Sequence, residues 1–210
     1  MRPIADDQRG KTTSGRSGSA RNIGKSSVRN KLYMLANTPD EYRWVNPIED
    51  ANNWGRRLIG VRIDPVADGW EPIPVEWVPA TARRIAPDFP QFWSGMLCIS
   101  KRAVAALARH LDGAGEFLPL LGLNGEYTAW HCLRTVDAID ERATNEKALV
   151  KKGISFHSPT LVPVLLTGRV PVDCNVFRVP QSFQKIFVRE RFVEVYRSAE
   201  LTGLDFLPVQ

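Results

Sequence analysis

The fold class of this chain follows from one stretch near its end, Lys185-Ile-Phe-Val-Arg-Glu-Arg-Phe-Val-Glu-Val-Tyr-Arg-Ser-Ala-Glu-Leu-Thr-Gly-Leu-Asp-Phe-Leu-Pro-Val209. Residues Lys185 to Val188 lead directly into a segment with the period of an amphipathic helix, and a second apolar run, Phe206 to Val209, follows it. That period is carried by Phe192, Val195, Tyr196 and Ala199. Gly203 stands in the turn after the helix, where a positive φ is commonly needed. The stretch therefore predicts a strand, a helix, a turn and a second strand.

An earlier stretch repeats this pattern 89 residues before it. Phe117-Leu-Pro-Leu120 corresponds to Phe206-Leu-Pro-Val209. Without any gap, the same offset aligns Arg102 with Arg191, Val104 with Val193, and Glu116 with Asp205. The earlier helix has Ser100 as its expected N-cap, and Gly113 stands in the turn that follows it. We predict two similar strand–helix–strand elements, which need no gene duplication to explain them.

The rest of the chain is richer in strands than in helices. Residues 37 to 93 hold eight of the fifteen prolines and five of the six tryptophans, which indicates a proline-punctuated β region. Further strands are predicted at Lys31–Ala36, Arg57–Ile63, Ile73–Val78, Glu126–Leu133 and Cys174–Val179, and Asp140–Ala148 is a short helix or a loop. Pro72 and Pro74 argue against a central position for the third of these strands, because proline cannot donate to a ladder. Strands and helices that do not alternate regularly predict an α+β fold with a mixed or antiparallel sheet.

Composition narrows the classes of protein. Apolar residues make up 43% and charged residues 24% of the chain, as in soluble globular proteins. No run approaches the roughly 20 apolar residues of a membrane span, so we expect no membrane association. The three cysteines, Cys98, Cys132 and Cys174, are odd in number and far apart. They fit reduced, buried thiols of a cytoplasmic protein better than a disulfide framework.

The net charge of +5 is concentrated at the N-terminus. Residues 1 to 31 carry eight basic and two acidic side chains, +6 in all, so the other 20 bases and 21 acids sum to −1. We predict a disordered basic tail over 1–30 and a single α+β domain over 31–210. Because that domain is neutral, nucleic acid is not an expected partner, and only the tail supports a nucleic-acid accessory role. Gly18 to Ser26 resembles a phosphate loop, but it has five residues between its glycines and no preceding strand, so we interpret it as linker.

No histidine or cysteine pattern predicts a metal or cofactor site. The histidines, His110, His131 and His157, do not have ligand spacing, and no Cys-x-x-Cys is present. His131 and Cys132 are neighbours on a predicted strand, so their side chains should point to opposite faces. A hydrogen-bonded strand histidine and buried thiols are the expected outcome. An enzyme that uses His131 and Cys132 together with nearby acids is the alternative.

The acidic cluster Asp137, Asp140 and Glu141 is the most informative polar group. Its carboxylates could face a basic partner, do acid–base work or bind a metal. They could also charge the N-terminus of a helix, where the helix dipole favours acidic residues. The tryptophans Trp44, Trp54 and Trp70 are not interleaved with a basic stripe and the domain is neutral, which favours core packing over stacking on RNA bases.

Five segments of the C-terminal half resemble the bacterial immunity protein family eleven, formerly a domain of unknown function. They are Leu97–Ser100, Leu133–Asp140, Asp173–Pro180, Ile186–Phe192 and Glu200–Val209. In that family the last two correspond to an F-V-S-E-x-F segment, a helix and a G-L-T-G-L-x-F segment. The resemblance covers roughly residues 95–210 and leaves the Pro/Trp-rich β region of 31–93 unmatched. Arg189 stands where many members have a serine cap.

The resemblance implies a cognate inhibitor in a bacterial toxin–immunity system. Such a protein acts without catalysis, by stoichiometric binding to a toxin protein whose gene commonly lies beside its own. The resemblance supplies a role and no catalytic residues, so Asp137, Asp140 and Glu141 are proposed from their chemistry alone as partner-binding residues that meet a basic toxin cleft. The alternative is a small enzyme with a site near His131, Cys132, Asp137 and Asp140.

Overall fold

The computed structural model describes residues 31–36, 40–48, 64–93, 95–150 and 162–209. Its strands are β1 (Leu32–Ala36), β2 (Val45–Pro47), β3 (Ile73–Trp77), β4 (Met96–Ser100), β5 (Gly115–Leu121), β6 (Tyr127–Cys132), β7 (Val176–Val179), β8 (Ser182–Arg189) and β9 (Asp205–Val209). Its α-helices are α1 (Lys101–Leu111), α2 (Glu141–Val150) and α3 (Glu190–Ser198). The predicted α+β class is confirmed. The basic tail, the strand predicted at Arg57–Ile63 and the linker interpretation of residues 18–26 lie outside the described residues.

The strands form two sheets. One has four strands in the order β7-β8-β1-β9, and the other has five in the order β2-β3-β5-β6-β4. The strand pairs are antiparallel, except that β3 and β5 run parallel. The isolated bridges Tyr42–Ile85 and Trp44–Gln91 connect the segment before β2 to the segment before β4. The five-stranded sheet therefore curls back on itself around a core that includes Val45.

The two strand–helix–strand elements have the same topology. In the early unit (β4, α1, β5 and β6), β4 and β5 flank β6, and in the late unit (β8, α3, β9 and β1), β8 and β9 flank β1. Their registers correspond: Ile99 pairs with Thr128 as Val188 pairs with Tyr33, and Phe117 pairs with Trp130 as Phe206 pairs with Leu35. The outer strands keep the offset of 89 residues throughout. The repeat predicted from the sequence is thus a repeat of the fold.

The helices of the two units share one core. Helix α1 buries Ala103, Leu107 and Leu111, and α3 buries Phe192, Val193 and Tyr196. These side chains pack against one another and against residues of both sheets, among them the fully buried Trp130. Ser100 caps α1 as predicted, because its Oγ accepts a hydrogen bond of 3.1 Å from the backbone N–H of Ala103.

The prediction that proline keeps β3 out of the middle of a sheet is wrong. Strand β3 lies between β2 and β5, with Pro74 inside it. The C=O of Pro74 accepts a hydrogen bond of 3.0 Å from the N–H of Ile48. The backbone nitrogen of Pro74, which carries no hydrogen, therefore also faces the side of β2. The ladder with β2 ends at Pro47–Val75, so Pro74 lacks only the reciprocal bond to Ile48, at the very end of the ladder.

The remaining predictions differ from the structure mainly at element ends. Strand β7 begins at Val176, two residues later than predicted, and residues 141–150 form a helix. Gly113 and Gly203 both have positive φ, at 66° and 102°. None of the helices in the described ranges is long and apolar enough to cross a membrane.

Candidate functional site

Asp137 has an exposed carboxylate, and the two residues that follow it in the sequence are buried. Its Oδ1 accepts a hydrogen bond of 3.1 Å from Nε2 of Gln181, just after β7. The next two residues, Ala138 and Ile139, are buried in the core under the four-stranded sheet, and Ile139 forms a bridge with Leu165. Because its neighbours are anchored, the position of Asp137 at the surface is set by the fold rather than by a free loop.

Asp140 and Glu141 begin helix α2. Oδ1 of Asp140 accepts a hydrogen bond of 3.0 Å from the N–H of Ala143, and its C=O accepts the N–H of Thr144 at 2.9 Å. Asp140 is therefore the N-cap, and Glu141 is exposed in the first turn, where the helix dipole favours an acidic residue. The helix N-terminus interpretation is confirmed for these two residues. Within the described ranges, no group of three or more His, Cys, Asp or Glu residues could hold a metal ion.

His131 is completely buried and hydrogen-bonded to a carboxylate that the sequence does not identify as its partner. Its Nδ1 lies 2.9 Å from Oε1 of Glu116, the residue opposite it on β5. Glu116 also accepts the backbone N–H groups of Val66, at 2.9 Å, and Ala67, at 3.1 Å. The predicted hydrogen-bonded strand histidine is confirmed. Only the register of β5 with β6 brings these two residues together, and the sequence does not contain that register.

Cys132 points to the opposite face from His131, as predicted, and packs in the core with the helices. Burial raises the pKa of its thiol to about 11. Burial also raises the pKa of the Cys98 and Cys174 thiols, and all three cysteines are free. Since the thiolate is the nucleophile, burial and a raised pKa make these thiols weaker nucleophiles than an exposed cysteine. His131 and Cys132 cannot act on one group from opposite sides of a strand.

The other histidines have separate surroundings. His110 lies in the last turn of α1, with its ring 6.0 Å from that of Phe192 in an edge-to-face arrangement. Its pKa is lowered by burial and by the charge of Arg191. His157 lies outside the described residues.

Asp88 is a buried carboxylate at the junction of the two units. It accepts hydrogen bonds from Oγ of Ser100 at 2.7 Å, from Nη2 of Arg102 at 2.5 Å and from the N–H of Thr202 at 3.0 Å. Burial alone would raise its pKa, but the hydrogen bonds from Arg102, Ser100 and Thr202 outweigh burial and lower it. Ser100 and Arg102 belong to the early unit and Thr202 follows α3, so this carboxylate ties the two units together.

The fold places arginine side chains over the rings of two tryptophans, Trp77 and Trp44. The guanidinium of Arg43 lies 4.4 Å from the ring centre of Trp77, and that of Arg84 lies 5.3 Å from Trp44. A basic residue therefore covers each of these two rings, and Trp70 packs against the core of the five-stranded sheet, as predicted. The partners lie 34 and 40 residues apart in the sequence, so only the fold brings them together. Trp54 lies outside the described residues.

A cleft of about 140 Å³ opens where the two sheets approach each other. It is lined by residues of β1, β4 and β8 and of the segment before β4: Leu35, Ala36, Phe89, Pro90, Gln91, Phe92, Trp93, Gly95, Met96, Leu97, Cys98, Gln184 and Ile186, together with Leu204. The acidic residues Asp137, Asp140 and Glu141 are not among them. The sequence does not predict this cleft, because the cleft depends on how the two sheets are arranged.

No family model matches the chain, and no curated protein in the comparison is similar to it.

Proposed function

We propose that this chain is an immunity protein that binds a cognate bacterial toxin domain in the cytoplasm and neutralises it by stoichiometric protein–protein interaction. The five segments that resemble immunity protein family eleven support this role. The role requires a surface that is already ordered before the partner arrives, because ordering side chains on binding costs affinity.

The observation that carries the proposal is the anchored acidic surface formed by Asp137, Asp140 and Glu141. Buried residues follow Asp137 directly, Gln181 holds its carboxylate, and Asp140 fixes the start of α2. Asp137 and Glu141 are exposed. Carboxylates arranged in this way complement a basic cleft and steer its approach. A toxin domain that acts on an anionic substrate such as a nucleic acid presents a cleft of that kind.

The enzyme alternative is disfavoured by the arrangement of its candidate residues. His131 bonds to Glu116 on one face of β6, while Cys132 lies in the core on the other face. Asp140 uses one carboxylate oxygen as a helix cap. A shared site would need these side chains to converge on one cleft.

The test is co-purification of the full chain with the polypeptide encoded by the neighbouring gene, followed by an affinity measurement. We expect a one-to-one complex that abolishes the toxic activity. The double charge reversal Asp137→Lys with Glu141→Lys should weaken binding by at least tenfold, most strongly at low salt.

The matched control is Glu76→Lys with Glu194→Lys, which makes the same change in net charge at exposed positions of β3 and α3. It should leave the affinity within about twofold, because interface charges act locally once salt screens them. Equal weakening by both double variants would remove the acidic surface from the proposal. Failure of every neighbouring gene product to bind would contradict the immunity role itself.

A further inference from the structure

The two units differ in what lies beyond their third strand. In the early unit, β3 pairs in parallel with the outer edge of β5, through Ile73–Leu120 and Pro74–Leu121. Residues 66–74, which lead into β3 and begin it, are called the covering segment below. In the late unit, β9 takes the place of β5, and β1 is its one strand neighbour among the described residues. A position that the covering segment fills beside β5 is therefore not filled beside β9 by any described strand.

The covering segment is held to β5 by hydrogen bonds to two of its residues. The carboxylate of Glu116 accepts the backbone N–H groups of Val66 and Ala67, at 2.9 and 3.1 Å. The C=O of Pro119 accepts the indole N–H of Trp70 at 2.9 Å. An acidic side chain and an outward-pointing carbonyl are thus the polar groups with which β5 binds a neighbouring segment.

Strand β9 carries the same two groups at the offset of 89 residues. Asp205 is the counterpart of Glu116, and Pro208 is the counterpart of Pro119; both residues of β9 are exposed. None of the described residues donates a hydrogen bond to the carboxylate of Asp205 or forms an ion pair with it. The C=O of Pro208 points away from β1, because Pro208 has the register with β1 that Pro119 has with β6.

The apolar contact beside these groups differs in the same way. Leu118 of β5 is completely buried, in a core cluster against which Val66 and Trp70 of the covering segment pack. Its counterpart on β9, Leu207, is 38% exposed. Removing apolar surface from water is favourable, so a segment that covers Leu207 gains free energy there.

We propose that the outer edge of β9 binds a segment of a partner polypeptide in the way that β5 binds the covering segment. Backbone N–H groups of the partner donate to the carboxylate of Asp205, whose negative charge strengthens such hydrogen bonds. An apolar side chain of the partner covers Leu207, and its chain continues as a strand parallel to β9. A second copy of this chain is a poorer occupant, because Pro208 has no N–H to give to an identical strand.

The proposal goes beyond the toxin-binding role and is tested without any toxin. The probe is the blocked peptide Pro65-Val-Ala-Asp-Gly-Trp-Glu-Pro-Ile-Pro-Val75, the covering segment with one flanking residue at each end. It is titrated into the ¹⁵N-labelled full chain and followed by amide chemical shifts. We expect saturable shifts at Asp205, Leu207 and Val209, with a dissociation constant on the order of 1 mM. The same peptide with Val66→Ser and Trp70→Ser should bind at least tenfold more weakly, because it lacks both apolar side chains.

Three variants of the full chain locate the site. Asp205→Asn keeps the size of the side chain but removes its charge, and Leu207→Ser removes the apolar surface. Each should weaken binding of the peptide by at least fivefold. Val172→Ser makes a similar change at a residue that is 80% exposed and lies outside β9, and it should leave the affinity within about twofold.

Four results would overturn the proposal. They are no saturable shifts up to about twenty times the expected constant, shifts at Glu116 in place of Asp205, unchanged binding by both β9 variants, and a dimer of the free chain that Leu207→Ser dissociates. The third would place the peptide elsewhere, and the last, measured by analytical ultracentrifugation, would make a second copy the occupant of the edge. The toxin-binding proposal would stand in each case, because it rests on the acidic surface.

Discussion

The early and late units use one fold with different residues at the position that begins the helix. Ser100 in the early unit caps α1 and also donates to Asp88. Its counterpart in the late unit, Arg189, provides no side-chain cap. The buried guanidinium of Arg189 donates instead to the carbonyls of Cys174, Val170 and Pro171, at 3.0, 2.7 and 2.8 Å.

The difference shows that the topology does not depend on the cap. Helix α3 begins with Glu190, an acidic residue in its first turn, and the N–H of Glu190 donates to the C=O of Lys31 at 3.0 Å. The neighbouring strand and the helix dipole thus stabilise a start that lacks a serine. The buried arginine holds the segment between residues 170 and 174 against β8, a contact for which the early unit shows no counterpart at Ser100.

The largest expected difference between the units lies in their central strands. Trp130 and Leu35 occupy corresponding positions, but Trp130 is fully buried, whereas Leu35 is half-buried beside the cleft. Trp130→Ala should lower the free energy of unfolding by about 4 kcal/mol, and Leu35→Ala by about 1 kcal/mol. Urea unfolding followed by circular dichroism measures both. Similar losses for the two variants would show that the units contribute equally to the shared core.

The second prediction concerns Arg189 and Ser100, the residues that precede α3 and α1. Arg189→Ser adds a potential cap to α3 but removes three hydrogen bonds to buried carbonyls, so we expect a net loss of about 2 kcal/mol. Ser100→Ala removes a cap and one bond to Asp88 and should cost about 1.5 kcal/mol.

Arg189→Ala separates the two contributions in the same urea assay. It should be less stable than Arg189→Ser by about 1 kcal/mol, the usual value of a cap. A stabilised Arg189→Ser variant would mean that the cap outweighs the buried guanidinium, and the comparison between the units would then reverse.

The fold was predictable where a signal is local. The period of Phe192, Val195 and Tyr196 and the serine at position 100 depend on residues within two helical turns, and both predictions are confirmed. The offset of 89 residues extended that reasoning, because similar sequences in both halves predicted similar elements. The wrong prediction for β3 shows the limit of such local reasoning. The effect of Pro74 depends on where its partner strand ends, which is set by residues far away in the sequence.

The candidate site was less predictable for the same reason. The alternation of side chains along a strand predicted that His131 and Cys132 point to opposite faces. The acidic residues at positions 140 and 141 predicted the start of a helix. The partners Glu116 and Asp88 were missed, since each is joined to residues more than ten positions away by strand register or by the meeting of the two units.

The smallest expected effect is the pH dependence of stability that arises at His110, where α1 and α3 are in contact. Burial, and then the charge of Arg191, lower the pKa of His110 below its ordinary 6.5. The folded protein thus binds fewer protons than the unfolded chain. The stability due to neutral His110 is fully present above pH 6.5 and is lost as the pH falls from there through the folded-state pKa.

His110→Gln removes this titration while keeping a polar side chain of similar length. The difference in unfolding free energy between the wild type and this variant should therefore shrink between pH 7.5 and pH 5, by less than about 1 kcal/mol because the site is partly exposed to solvent. Arg191→Gln should reduce the slope without removing it, since burial is the larger cause. A difference independent of pH would mean that the pKa of His110 is not lowered in the folded protein, and that neither its burial nor Arg191 disfavours the charged ring.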